Sequence, residues 1–200
     1  MMRLFSLMIS FLVALAVSAQ DPKAGAPVFQ VRTNALFDLA ACPYVGLEVQ
    51  LPSGFAFQAD YAGAWWNRRS RDRYYSCYGF QCEGRYYLSA SASGIPHAGH
   101  HLGVYGHLLT YDFEFGGTGY QCPRLSDTFG GGISYGYSIP LSRFFSLDLT
   151  CGLGYFQSRY NVYEPLRDRY LLTSVKRLRY VGPTKLEVSF VYNLNGHARR

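Results

Sequence analysis

The chain has 200 residues, of which 48% are hydrophobic, 17% aromatic and only 16% charged, with a formal net charge of +6. That length corresponds to one domain, and so many aromatics with so few charges exclude a disordered chain. Beyond the first twenty residues no apolar run approaches the ~18 needed to span a membrane as a helix, and 21 glycines without long Ala/Glu/Lys/Leu stretches exclude a coiled coil. What remains is an all-β protein.

Residues 1–19 read as a secretory signal peptide. Arg3 supplies the positive start, 4–17 is almost wholly apolar, and Val17-Ser18-Ala19 presents small residues for cleavage before Gln20. The mature domain is then expected over 20–200, with a net charge of +5 once Arg3 is removed from the +6. All five cysteines (Cys42, Cys77, Cys82, Cys122 and Cys151) fall in that domain. An odd count leaves one thiol unpaired in any monomer. No CxxC spacing points to zinc, so the cysteines are expected to act mostly as small apolar fillers.

Eight runs follow with strand-like alternation: 28–38, 44–51, 55–65, 73–88, 100–115, 128–139, 145–155 and 184–194. In the seventh, Phe145, Leu147, Leu149, Cys151, Leu153 and Tyr155 oppose Ser146, Asp148, Thr150, Gly152 and Gly154. Short turns are expected at 52–54 and 140–143, and longer polar loops at 67–72, 116–127 and 160–183. A small-residue link at 89–99 breaks the alternation of short and long connections.

The polar face of these runs is rich in Gly, Ser and Ala and carries scattered charges of both signs. A solvated face would more often show dense Lys and Glu. Aromatics bunch toward the run ends, with Trp65, Trp66, Tyr74 and Tyr155 expected in one girdle. Both features fit a membrane barrel, apolar outside and polar within, rather than a soluble sandwich with the opposite polarity. The expected fold is therefore an all-β, eight-stranded antiparallel up-and-down transmembrane β-barrel.

Several ordered segments carry a family resemblance: Thr33-Asn34-Ala35-Leu36-Phe37-Asp38, Ala64-Trp65-Trp66, Gly99-His100-His101-Leu102-Gly103-Val104-Tyr105-Gly106, Gly130-Gly131-Gly132-Ile133-Ser134-Tyr135-Gly136-Tyr137 and Gly182-Pro183-Thr184-Lys185-Leu186-Glu187. On these the chain resembles the Bacteroidota outer-membrane barrel family known as domain-of-unknown-function family 3575. The resemblance implies a barrel in the outer membrane of a Gram-negative bacterium, with no established biochemical activity.

Residues that carry chemistry are thin. His97, His100, His101 and His107 invite a metal reading, but His100 and His101 are adjacent on a strand and point to opposite faces. No metal or cofactor is expected. The glycine clusters are neither a P-loop nor a dinucleotide fingerprint, and no Gly-x-Ser-x-Gly elbow occurs. A Ser–His acyl hydrolase or transferase acting on lipid or lipopolysaccharide is the alternative function, built on His101 or His107 with Ser134 or Thr110, oriented by Asp112 or Glu114. The favoured expectation is a non-enzymatic structural or surface-interaction barrel. Its partners would be outer-membrane lipid and lipopolysaccharide, with an unidentified surface or periplasmic protein in addition and no nucleic acid. Arg68, Arg69, Arg71 and Arg73 are the expected lipopolysaccharide contacts. Inside, Arg32, Glu48, Asp60, Glu83, Arg85, Asp148, Lys185 and Glu187 should form a lumen ion network that plugs the barrel. Both termini are expected at the periplasmic end, opposite the longer loops.

Overall fold

A computed structural model describes residues 27–68, 73–89, 98–115, 117–166 and 169–194. The expected signal peptide lies outside these residues. Nine strands form a single antiparallel sheet: β1 (Val28–Asn34), β2 (Tyr44–Gln50), β3 (Phe55–Arg68), β4 (Arg73–Tyr87), β5 (Gly99–Phe115), β6 (Gly119–Cys122), β7 (Thr128–Pro140), β8 (Phe145–Leu166) and β9 (Arg169–Asn193). Eight of them close a ring, because β1 pairs with β2 on one side and with β9 on the other, and β5 pairs with both β4 and β7. The fold is thus an eight-stranded up-and-down barrel, with β6 inserted between β5 and β8 at one end.

Period-two alternation sets the two faces. On β1, Val28, Gln30, Arg32 and Asn34 are buried in the lumen while Phe29, Val31 and Thr33 turn outward. On β3, Ala56, Gln58, Asp60, Ala62 and Ala64 are buried, and Phe55, Phe57 and Tyr61 are exposed. A one-residue slip would exchange the two sets completely. The tight turns at one end are built from local chemistry. Gly54 adopts φ +88° and its N–H donates to Leu51 O at 3.1 Å. In the β7–β8 turn, Ser142 Oγ accepts from the N–H groups of Phe144 and Phe145.

Three sequence expectations need correction. The first strand stops at Asn34 rather than Asp38, because Asn34 Oδ1 accepts from Leu36 N and starts a short helix, α1 (Ala35–Leu39). Asp38 then takes Thr33 Oγ1 and Tyr44 N and folds the corner back into β2. The loop expected at 116–127 contains β6 and a 3-10 turn, Leu125–Asp127. The loop expected at 160–183 is strand almost throughout: β8 and β9 pair from Leu166↔Arg169 down to Phe145↔Tyr192, with bulges at Gly152/Leu153 and Val162/Tyr163. Pro183, which has no N–H to give a ladder, sits at the first of these bulges.

The end of α1 carries a small strain. Cys42 N donates to Phe37 O and Ala41 N to Asp38 O, the paired bonds of a helix stop that normally places glycine in the left-handed position. Here Ala41 occupies it at φ +57°. Ala41→Gly is expected to stabilise the barrel by about 0.5–1 kcal/mol, the left-handed penalty less glycine's added unfolded freedom. The midpoint of the heat-induced mobility shift on gels reads it, and a lowered midpoint would contradict the strain.

Candidate functional site

The inner faces of the strands bring all eight expected lumen charges into the interior, none more than 6% exposed. Neighbouring strands project side chains at the same level toward one axis. Charges from β1, β2, β4, β8 and β9 therefore meet, although up to 163 residues separate members of the wider network.

Two guanidinium groups organise the centre. Arg32 Nη1 donates to Glu48 Oε2 at 2.8 Å and to Gln58 Oε1 at 2.6 Å, and its Nη2 reaches Asp148 Oδ2 at 2.6 Å. Arg85 Nη1 donates to the same Asp148 oxygen at 2.7 Å, and its Nη2 lies 2.8 Å from Glu83 Oε2 and 3.4 Å from Glu187 Oε2. Lys185 Nζ pairs with Glu83 Oε2 at 2.5 Å and Glu187 Oε1 at 3.3 Å, and stands over the Tyr105 ring. Charge-assisted bonds of this kind are the short, strong ones, and in a dry interior they offset the desolvation of the carboxylates.

Hydroxyl, imidazole and amide groups complete the array. Tyr87 donates its hydroxyl to Glu48 Oε1 at 2.9 Å and Tyr44 to Glu187 Oε1 at 3.2 Å. His101 Nε2 lies 2.9 Å from Asp148 Oδ1, and Ser134 donates to Glu83. Toward the termini, Gln50, Gln30 and Asn193 continue the chain of bonds to Arg143 O. Tyr87 and His101 escaped the sequence reading as network members. Their inward parity on β4 and β5 was the available signal.

Glycines make the room. A Cβ at Gly46 would overlap Asp60 and Arg32, one at Gly103 would overlap Glu83 and Ser134, and one at Gly136 would overlap His101 and Thr150. These inward positions face the bulkiest charged side chains across a narrow lumen.

The residues weighed for acyl chemistry are not assembled with one another. Ser134 gives its hydroxyl to Glu83 and His101 is engaged with Asp148. His107 lies among Tyr105 and Phe156, and His100 points outward to Tyr135 OH at 2.6 Å. His97 lies outside the described residues. Among the described residues no three His, Cys, Asp or Glu side chains are grouped to hold a metal.

The outer face is apolar around the ring, with Val104, Ile133, Leu153, Val181 and Leu186 each at least 60% exposed. Aromatic contacts mark the end near the tight turns: Phe55–Tyr86, His100–Tyr137 and Phe145–Tyr192, with centroids 4.6–5.2 Å apart. At the opposite end the expected girdle divides. Trp65 faces outward and is exposed, and Tyr155 faces outward with its hydroxyl on Gln157. Trp66 alternates to the other side and donates Nε1–H to Ala41 O at 2.6 Å, at the barrel mouth. Tyr74 is half-buried beside Asp112 and Glu114. Inside that mouth, Tyr75, Phe113 and Tyr111 stack in series next to Cys42 and Cys77. Burial pushes the Cys42 thiol above its ordinary value.

Of the four arginines expected to touch lipopolysaccharide, Arg69 and Arg71 lie outside the described residues, and Arg68 and Arg73 are register partners where β3 and β4 end. Beyond the ring, where β7 leaves β8 at Ser158, the β8–β9 hairpin continues as an arm with exposed Arg159, Lys176, Arg177 and Arg179.

No curated protein matches the chain. A family profile described as "Protein of unknown function (DUF3575)" matches residues 5–194, which take in every strand of the barrel and all eight lumen charges. With nearly its whole length covered by that profile, the chain belongs to the DUF3575 family.

Proposed function

We propose that this protein is a small, non-enzymatic outer-membrane barrel with a plugged lumen, acting as a structural or surface-interaction protein. One observation carries the reading: the polarity of the barrel is inverted. Its interior holds ion pairs and amides, while its exterior is a continuous apolar belt edged with aromatic rings. Water around such a belt would be unfavourable by roughly 25 cal/mol per Å2, whereas bilayer hydrocarbon suits it. Where the ring is closed, its strands satisfy one another's backbone, the condition for crossing a bilayer with strands.

Three further features support the reading. The lumen side chains interlock across the axis, so the barrel presents no open channel along the level of Arg32 and Arg85. The tight turns lie at the end of the barrel where β1 begins and β9 finishes, as expected for the periplasmic side. The basic arm and the Arg68/Arg73 rim lie at the opposite end, where guanidinium groups would meet lipopolysaccharide phosphates or a surface partner.

The cysteines provide the test. Cys82 and Cys151 point outward within the apolar belt and are exposed, whereas Cys42 and Cys122 are buried. In intact membranes a charged maleimide is expected to label Cys82 and Cys151 at least tenfold more slowly than a lipophilic maleimide does. Rapid labelling of both by the charged reagent would place this belt in water and defeat the membrane reading.

A further inference from the structure

Toward the α1 end of the lumen, above the ion network, lies a partly open cavity of about 330 Å3. Its walls are mostly apolar and aromatic, from Tyr44, Leu109, Phe156 and Tyr180, with Phe37 of α1 at the rim and packed on Tyr44. Its polar lining includes Asp60, Gln81, Thr184, Lys185 and Glu187 beside His107. That volume lies at the small end of ligand pockets, about 300–1,000 Å3.

Carboxylates outnumber Arg and Lys side chains in the lumen. The network has five, Glu48, Asp60, Glu83, Asp148 and Glu187, against Arg32, Arg85 and Lys185. Four of the carboxylates lie within ion-pair distance of an Arg or Lys. Asp60 does not, among the described residues. Its Oδ2 accepts only from the amides of Gln58 at 2.6 Å and Gln81 at 3.2 Å. Its Oδ1 has no hydrogen-bond partner, although the residue is only 5% exposed. Lys185 cannot serve it, being held by Glu83, Glu187 and the Tyr105 ring. A buried carboxylate with no Arg or Lys in ion-pair distance is unfavourable as an anion, and here it lines a cavity walled by rings.

We propose that this cavity is a binding site for a small organic monocation, an ammonium group on an apolar or aromatic body. The ammonium supplies up to three donors and no acceptor. It would bond Asp60, with the face of Tyr44 adding cation–π attraction. The apolar body would fill the space against Leu109 and Phe156. Anions are disfavoured by Asp60 and Glu187 together, and a strongly hydrated metal ion finds too few oxygen ligands on these walls. The inference rests on the lumen geometry and not on where the barrel resides.

Benzylammonium is a suitable probe, titrated into the purified full-length protein in lipid nanodiscs by calorimetry, with empty nanodiscs subtracted. Saturable one-to-one binding is expected, at least tenfold tighter than for benzyl alcohol, its neutral counterpart. Asp60→Asn, nearly isosteric, should lose at least tenfold in affinity. Ala62→Leu, which fills the cavity and leaves Asp60 in place, should abolish binding. The comparison of amine with alcohol needs no variant, so a folding defect cannot blur it. Equal affinity for the two probes, no saturable binding to the unmodified protein, or undiminished binding by folded Asp60→Asn would each overturn the proposal.

Discussion

Replacing Arg85 by Ala is expected to destabilise the barrel by about 3–5 kcal/mol, the range for removing one partner of a buried ion pair. Arg85 is fully buried and lies within ion-pair distance of Asp148, Glu83, Glu48 and Glu187. Its removal leaves five carboxylates facing two cations and opens a hole on the axis. The neutral pair should suffer less. Combining Arg85→Met with Asp148→Asn removes opposite charges together, so the double variant is expected to lie about 0.5–3 kcal/mol above the sum of the singles. Heat-modifiable mobility after refolding into lipid vesicles measures both. Strict additivity, or an unchanged midpoint for Arg85→Ala, would falsify the view that this network holds the barrel from within. The same plug predicts that the unmodified protein carries no steady large current across a planar bilayer.

The second large effect is expected at a glycine pair. Where β7 meets β8, Gly132 lies opposite Gly154. A Cβ on Gly132 would strike the backbone carbonyl of Leu153 and come within 2.6 Å of Gly154 Cα. A Cβ on Gly154 would strike Gly131 O and come within 2.9 Å of Gly132 Cα. Backbone cannot rotate aside as a side chain does, so relief requires the strands to separate. Gly154→Ala should therefore reach the upper end of the overpacking range, about 3 kcal/mol. Gly84→Ala provides the control, since nothing lies within 4 Å of its added Cβ. If the two alanine variants unfold at the same midpoint, the close approach is not what glycine serves here.

Most of the ring was legible because lumen and exterior differ so sharply in polarity. Wherever a strand separates the two, its residues must alternate, and Glu48, Asp60, Asp148 and Glu187 betray the inner parity directly. The upper hairpin was not legible for the same reason reversed. Residues 171–181 of β9 are nearly all exposed on both faces, so burial imposes no period there, and the segment reads as a polar loop although every residue from Val175 to Val181 has a partner on β8. The α1 corner was hidden in local chemistry. Asn34 and Asp38 redirect the backbone by side-chain bonds, which a run of apolar residues on either side conceals. Trp66 illustrates a different failure, because neighbouring tryptophans suggest one belt while strand geometry sends them to opposite sides. The cavity beside Asp60 depends on contributions from six strands and the helix, a convergence that no single stretch of sequence displays.

Closing the ring removes sheet edges only where the ring is closed. β9 pairs with β1 over Ser189–Asn193 alone, and Val188 N turns to the Asn34 side chain instead. Above that point, among the described residues, β9 has a ladder on the β8 side only. A free edge is a template for another strand, and an apolar one would recruit copies of itself. Here Val175, Leu178 and Tyr180 are interspersed with Lys176, Arg177 and Arg179. Two such edges brought together would set like charges near one another, which resists stacking of barrel on barrel. An extended segment bearing Asp or Glu would meet no such repulsion, so the arm is selective as to which strand can extend it.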